Sequence, residues 1–185
     1  MKVIIGITGA SGSIYAQQLI KKIQTIDHSE ISLVMTEDAK SVWEYELEND
    51  SYKNIDVKSY SINDFFSPLA SGSANYDVMI VCSCSMGTLA KIANGIADNL
   101  LVRAADVMLK ERRKLILVVR ETPYNLIHLE NMKKATLAGA IILPASPSFY
   151  SKPKNIIDLV DSVVDRVLKI ANFNISAFEW GQDTE

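Results

Sequence analysis

The amino-acid sequence predicts a doubly wound α/β fold, in which helices cover both faces of a mostly parallel sheet, and three observations carry this prediction. First, five apolar runs of strand length alternate with longer segments of helical period along the 185 residues. Second, runs such as 115–119 are apolar at every position, as expected of strands buried on both faces. Third, no repeat or interdomain linker interrupts the pattern, and 48% apolar side chains suffice for one full-sized core. We therefore expect a single domain.

The apolar periodicity assigns each element in turn. Strands are predicted at 2–7, 31–35, 77–82, 115–119 and 139–143. Helices are predicted at 13–26, 37–48, 87–111 with a break near 95–99, 124–138 and 155–171. The weaker pattern over 50–76 indicates a long surface connection with one short strand near 55–60. The domain is expected to cover 1–172, and the aromatic C-terminal tail 173–185 is expected to pack on a neighbouring subunit.

Charge and cysteine content argue against several classes of function. The net charge of −3 and the isoelectric point near 5.5 give no reason to expect nucleic acid, whose binding proteins usually display a basic excess. No run approaches the roughly 18 apolar residues that cross a bilayer. Cys82 and Cys84 stand too close together for an ordinary disulfide, so free thiols and a cytoplasmic location are expected. His28 and His128 lie at no recognised spacing from them, and no metal site is predicted.

A loop of small and hydroxyl residues, 6–13, lies between the first predicted strand and the first helix. It stands at the carboxyl edge of the sheet, where open α/β sheets bind ligands. Small residues let a phosphate approach the backbone, the helix N-terminus offers unpaired N–H groups, and Thr8, Ser11 and Ser13 add hydroxyl donors. The segment is neither a G-x-G-x-x-G fingerprint nor a Walker loop. The alternative is a tight turn in which Ser11 or Ser13 caps the helix.

A second loop of this character, 82–88, follows the third predicted strand. Its thiols, hydroxyls and glycine favour a further site for an anion or for the edge of a ring. Alternatively, Cys82 and Cys84 are core thiols and Ser85 caps a helix. Two such loops on alternate strand-to-helix connections favour ligand binding more strongly than either does alone.

One predicted helix carries a charged stripe. Asn99, Arg103, Asp106 and Lys110 recur at a spacing of three or four residues, which places them on one face of an otherwise apolar helix. The alternative is a solvent-exposed face with an Arg103–Asp106 pair.

Arg120 and Glu121 directly follow the most apolar strand, at the ligand-binding edge. The Arg120 guanidinium is suited to holding a phosphate through two hydrogen bonds. The alternative is a salt bridge between the two residues and a helix start at Pro123. The loop 144–150 and Arg166 beyond it indicate structure rather than chemistry when taken alone.

The most distinctive stretches of the sequence are 8–12, 84–89, 98–113, 120–123, 127–132, 139–145 and 149–150. Together they resemble the flavin prenyltransferase family, the UbiX-like proteins also called phenylacrylic acid decarboxylase-like flavoproteins. The similarity covers nearly the whole chain and is densest from 82 to 168. It implies a flavodoxin-like or Rossmann-like fold that binds FMN.

The resemblance also implies a reaction. A dimethylallyl group passes from dimethylallyl monophosphate to N5 and C6 of reduced FMN, phosphate is released, and no metal is needed. The product, prenylated FMN, would serve a UbiD-type decarboxylase, including those of ubiquinone synthesis. The family assembles into large homo-oligomers, and a dodecamer is expected here.

Site residues follow from the resemblance at matching positions. The flavin site is assigned to Gly9, Ala10, Ser11, Thr36, Ser85, Met86, Gly87, Thr88 and Arg120. The prenyl phosphate site is assigned to Arg103, Lys110, Glu121, Tyr150 and Arg166, with Trp180 beside the allylic cation. The expected catalytic residues are Ser11, Glu46 and Glu121, the first two as proton handlers. A cluster of cations stabilises departing phosphate as Mg²⁺ does elsewhere, and an aromatic face stabilises an allylic cation.

Two other functions stay open. A flavin-dependent cysteine-type decarboxylase shares the fold, but we would expect a catalytic histidine and an asparagine in the loop after the third strand, and 84–88 contains no asparagine. A non-catalytic FMN carrier is the second alternative. A carrier would need no second anion site. The residues expected to form such a site are present and argue against this alternative; they are Arg103, Lys110, Glu121 and Arg166.

Overall fold

The structure is a computed structural model, and it describes residues 1–26, 28–179 and 181. Its strands are β1 Lys2–Ile7, β2 Glu30–Met35, β3 Lys58–Tyr60, β4 Val78–Cys84, β5 Lys114–Val119 and β6 Ile141–Pro144. Its α-helices are α1 Ser13–Gln24, α2 Glu37–Leu47, α3 Met86–Ala93, α4 Leu100–Lys110, α5 Leu126–Leu137 and α6 Ile156–Ile170. The predicted elements are all present, including the short strand expected near 55–60 and the break that separates α3 from α4.

The six strands form one parallel sheet in the order β3-β2-β1-β4-β5-β6. The predicted doubly wound α/β class is therefore confirmed, and the order is the one typical of Rossmann-type proteins. The chain winds outward from β1 in one direction through β2 and β3, and from β4 in the other through β5 and β6. In such sheets the ligand crevice lies outside the carboxyl ends of the strands at this switch, here between β1 and β4.

Apolar cores cover both faces of the sheet. One core joins α1, α2 and α6 to the side chains of Val3, Ile5 and Ile7, and the fully buried Trp43 belongs to it. The other core joins α3, α4 and α5 to Ile4. Successive side chains of a strand point to opposite faces of the sheet. Because both faces are buried here, the strands are apolar at consecutive positions.

The connection between α2 and β4 contains β3 and three short 3-10 helices, 51–54, 68–70 and 72–74. The second of these packs against α4, and the third lies against the segment that follows α4. Arg103 Nε donates to the carbonyl oxygen of Ala70 at 3.2 Å, and Arg113 donates to that of Gly72 at 2.9 Å. The connection is thus held against the body of the domain. Among the helices of the described residues, none has the length and apolar character needed to cross a membrane.

Candidate functional site at the carboxyl edge of the sheet

The loops that follow β1, β4 and β5 are tied together by short polar contacts. Thr8 Oγ1 donates to the carbonyl oxygen of Ser83 at 2.7 Å and accepts from the backbone N–H of Ser85 at 2.8 Å. The backbone N–H of Arg120 donates to the carbonyl oxygen of Cys84 at 3.3 Å. Thr8 is nearly fully buried, so these bonds are shielded from water. The two loops singled out in the sequence therefore meet at one edge, as predicted.

The N-terminus of α1 is occupied by a side chain from α2. Glu46 accepts from the backbone N–H of Gly12 at 2.9 Å and from that of Ser13 at 2.8 Å. The expectation that these N–H groups are free for a phosphate is wrong, because a carboxylate already lies in the positive field of the helix. The alternative of a serine cap is also wrong, since Gly12, at φ 109°, is the N-cap and no side chain of its own segment caps the helix.

The hydrogen bonds keep Glu46 ionised. Burial acts to raise the pKa of this carboxyl, but the Ser11 side chain and the backbone N–H groups of Ser13 and Gly12 outweigh it, so the pKa is below its usual value. Ser11 and Glu46, the two expected proton handlers, are therefore brought together.

The loop after β1 is also pressed against the start of α2. A Cβ atom on Gly9 would lie 2.6 Å from the Cβ of Asp38, so only glycine fits at this position. Thr36 is the N-cap of α2, and its Oγ1 accepts from the N–H of Ala39 at 3.1 Å. A hydroxyl that accepts in this way still has its proton to donate to a ligand.

The start of α3 is a helix N-terminus with unused backbone donors and open space. Ser85 Oγ caps the helix by accepting from the N–H of Thr88 at 3.3 Å. No hydrogen bond of the described residues uses the backbone N–H of Met86 or Gly87, and a Cβ atom on Gly87 would meet nothing within 4 Å. Backbone donors and free space thus coincide where the resemblance places FMN.

The thiols of this loop take no part in the open surface. Cys82 and Cys84 are free cysteines and fully buried, and burial raises the pKa of each to about 12. The alternative interpretation of this loop is confirmed for these three residues: Cys82 and Cys84 are core thiols, and Ser85 caps α3. The expectation that thiols help to form an anion site is wrong, because neither sulfur reaches solvent or ionises near neutral pH.

Arg120 and Glu121 leave the carboxyl end of β5 without pairing with each other. Arg120 is exposed and forms no ion pair within the described residues, and Glu121 accepts from the N–H of Thr122 at 2.9 Å. The alternative of an Arg120–Glu121 salt bridge is therefore wrong, as is a helix start at Pro123, because Asn125 caps α5. Arg120 is left available for a ligand.

The charged stripe of α4 forms its polar contacts away from these loops, with Ala70, Asp106 and Glu111. Asn99 caps the helix, and Arg103 pairs with Asp106 at 2.7 Å, as the alternative to ligand binding predicted. Lys110 pairs with Glu111 at the end of α4, immediately before β5 begins. Lys110 precedes the amino end of β5, whereas Arg120 follows its carboxyl end. Because each of the six residues of β5 advances the chain by about 3.3 Å, Lys110 lies about 20 Å from the edge that carries Arg120.

Arg166 lies on α6, on the opposite face of the sheet from α4. A groove of about 840 Å³ runs along α6 and is lined by Arg166, Lys169 and the tail residue Phe178. Tyr150 is exposed in the loop that precedes α6. Since α4 and α6 cover opposite faces of the sheet, the expected cluster of Arg103, Lys110 and Arg166 does not form within one chain.

Two further expectations concern the tail and metal binding. Phe173 is buried in the core beside α6, whereas Trp180 lies outside the described residues. Within the described ranges, no group of three or more His, Cys, Asp or Glu side chains is placed to hold a metal ion.

A parallel, doubly wound sheet with open small-residue loops at its switch point is the architecture of nucleotide-binding α/β proteins. The family model described as Flavoprotein matches residues 1–168. Flavin prenyltransferase UbiX of Methanocaldococcus jannaschii is 49% identical over 98% of this chain and 99% of its own length. The chain belongs to the flavoprotein family and, within it, to the UbiX flavin prenyltransferases.

Solved structures agree with this assignment. A crystal structure described as AnUbiX (PadA1) in complex with FMN and dimethylallyl pyrophosphate is 39% identical, with a TM-score of 0.89 over 96% of this chain and 98% of that one. A dodecameric FMN-dependent UbiX-like decarboxylase from Escherichia coli O157:H7 is 40% identical, with a TM-score of 0.92 over 97% and 99%. The predicted family and fold are confirmed.

Proposed function

We propose that this protein is a flavin prenyltransferase, which joins a dimethylallyl group from dimethylallyl monophosphate to N5 and C6 of reduced FMN and releases phosphate. The observation that carries the proposal is the open edge formed by the loops after β1, β4 and β5, in a chain 39% identical to a protein crystallised with FMN and dimethylallyl pyrophosphate. No metal is needed, because the charge on phosphate is matched by arginine and lysine side chains.

The described residues fit FMN. Thr36 and Thr88 keep hydroxyl protons to donate, Gly87 leaves space above α3, and Arg120 supplies an unpaired cation. With Gly9, Ala10, Ser11, Ser85 and Met86 these residues would hold the flavin. When bound, FMN supplies the nucleophilic ring atoms of the reaction.

Glu46 and Ser11 are proposed to move the proton that must leave a ring carbon. A carboxylate that is already ionised is able to accept a proton, and its hydrogen bonds to α1 hold it in one position. Ser11 is exposed and its side chain is hydrogen-bonded to this carboxylate, so its hydroxyl is proposed to relay the proton. Glu121, whose carboxylate accepts from Thr122, is proposed to orient the prenyl phosphate.

The prenyl phosphate site is proposed to be completed by neighbouring subunits. Arg103 and Lys110 lie on one face of the sheet and Arg166 lies on the other, so they converge with Tyr150 only if different chains supply them. A similar protein is described as dodecameric. Large apolar side chains stay exposed beyond the carboxyl ends of β5 and β6, as at an interface; they are Tyr124, Leu126, Ile127, Phe149, Ile156 and Ile157.

The product is proposed to pass to a UbiD-type decarboxylase, which uses prenylated FMN. The predicted location, the cytoplasm, stays a prediction; the two free cysteines are consistent with it.

Anaerobic incubation with reduced FMN and dimethylallyl monophosphate tests the activity. We expect release of inorganic phosphate and a flavin whose mass has grown by one dimethylallyl unit. A decarboxylase or a plain FMN carrier would leave the mass of the flavin unchanged, and that result would overturn the proposal.

A further inference from the structure

One tyrosine at the ligand-binding edge has no role in the sequence-based assignments. Tyr15 is the third residue of α1, and its ring packs against the turn that begins the helix. A Cβ atom built on Gly12 would lie 2.8 Å from Cδ2 of Tyr15 and 3.1 Å from Ser83 Oγ. The ring therefore packs on the Gly12 turn, which in turn lies against Ser83 of β4, next to the switch point of the sheet.

The phenol of Tyr15 is half-buried, and its hydroxyl is free to donate to a ligand. Within the described residues its hydroxyl forms no hydrogen bond, whereas Ser83 Oγ donates to the carbonyl oxygen of Gly12 at 3.2 Å. Two other groups act on it electrostatically, Cys82 and Arg120. A guanidinium has no acceptor and a thiol is a weak one, so neither satisfies the phenol.

The phenol also stays neutral. Burial and the nearby Cys82 raise the pKa of Tyr15 above 10, and Arg120 lowers it only in part. A neutral hydroxyl within electrostatic reach of a guanidinium is suited to an oxygen that carries partial or full negative charge, because both kinds of group donate to such an oxygen.

We infer that Tyr15 is a ligand-binding residue whose hydroxyl donates a hydrogen bond to an acceptor oxygen of FMN beside Arg120. The inference rests on the proposed function, since it takes FMN as the ligand at this edge. The rigid ring sets the position of the donor, and Arg120 supplies the charge that the phenol lacks.

Titration of the flavin-free full-length protein with FMN tests the inference, with quenching of flavin fluorescence as the signal. Tyr15→Phe keeps the ring that packs on Gly12 and removes only the hydroxyl. We expect its Kd for FMN to rise about three- to tenfold, as for the loss of one hydrogen bond. The visible absorption band of bound FMN should also differ from wild type. Tyr45→Phe, at a phenol that is 87% exposed on α2, is the matched control and should bind FMN as wild type does.

The outcomes separate this inference from the proposed function. If wild type binds FMN and Tyr15→Phe binds it equally well, Tyr15 has no contact with FMN and the inference is overturned alone. An unchanged Kd for FMN with a raised KM for dimethylallyl monophosphate would overturn it too, by placing the phenol on the prenyl phosphate. A folded wild-type chain that binds no FMN would overturn both.

Discussion

Glu46 Oε2 accepts a hydrogen bond of 2.8 Å from the backbone N–H of Ser13, although 33 residues separate the two in the chain. The same carboxylate accepts from the N–H of Gly12. The negative charge that the N-terminus of α1 favours is thus supplied by α2, not by the first turn of α1, which has no acidic residue. This contact joins two helices at the edge of the candidate site.

Glu46→Gln should lower the free energy of unfolding by about 1 kcal/mol near neutral pH, since the charge at the helix N-terminus is lost. The pKa of Glu46 is lower in the folded than in the unfolded chain. Its stabilisation is therefore present above the unfolded pKa of about 4.3 and is lost as the pH falls through the folded pKa. Urea unfolding measures the free energy of unfolding of wild type and variant. The difference between the two should be smaller at about pH 3.5 than at about pH 7.

Glu44→Gln is the matched control for stability, because Glu44 lies on the exposed face of the same helix and accepts from Tyr52. Its effect should stay within about 0.5 kcal/mol. Equal stabilities of wild type and Glu46→Gln at neutral pH would show that the carboxylate does not stabilise α1.

The same Glu46→Gln variant should turn over slowly while binding FMN almost normally. An amide keeps the shape of the carboxylate but accepts no proton, so we expect product formation to fall by about a hundredfold or more. Phosphate release under anaerobic conditions and an FMN titration measure the two effects. Wild-type turnover in the variant would remove Glu46 from the proton transfer.

Two glycines at this edge should respond to alanine in opposite ways. Gly9→Ala places a methyl group 2.6 Å from Asp38 Cβ, so we expect a loss of stability of about 1–3 kcal/mol and weaker FMN binding. Gly87→Ala meets open space in a helix and should stabilise the ligand-free protein by about 0.5–1 kcal/mol.

FMN titration then separates packing from ligand contact. If the space above Gly87 belongs to the flavin, Gly87→Ala weakens FMN binding in spite of its greater stability. Unchanged FMN affinity in Gly87→Ala would move the flavin away from the start of α3.

The sequence predicts the elements of this fold well because their signals are local. Unbroken apolar runs mark strands buried on two faces, and segments of helical period mark the helices between them. The contact of Glu46 with α1 leaves no such signal, since nothing near position 46 or position 13 encodes it. That α4 and α6 cover opposite faces depends on the strand order, which the periodicity does not specify.

Mixing two inactive variants should restore activity if chains share the prenyl phosphate site. Arg103 lies on α4 and Arg166 on α6, on opposite faces of the sheet. Hybrid assemblies of Arg103→Ala and Arg166→Ala chains would contain some sites with both arginines intact. Phosphate release should exceed that of either variant alone.

Arg103→Ala mixed with Lys110→Ala is the control for this experiment. Both residues lie on α4, about 10 Å apart along the helix, so one chain should supply both to a site and mixing should restore nothing. No recovery for Arg103→Ala with Arg166→Ala, after subunit exchange has been verified, would mean that the two arginines do not act in one shared site.

Deletion of residues 174–185 should reduce prenyl transfer while leaving the fold and FMN affinity nearly intact. Phe173 is retained and buried, and the lost Lys169–Glu179 pair is exposed at its carboxylate, where solvent screens it. The deletion removes Phe178 from the groove that contains Arg166, and it removes Trp180, which we expect to shield the allylic cation from water. A shorter deletion, 181–185, keeps both aromatic residues and is the matched control. Thermal unfolding, FMN titration and phosphate release should show that only the longer deletion loses activity; equal activity of the two would show that neither aromatic residue takes part in the reaction.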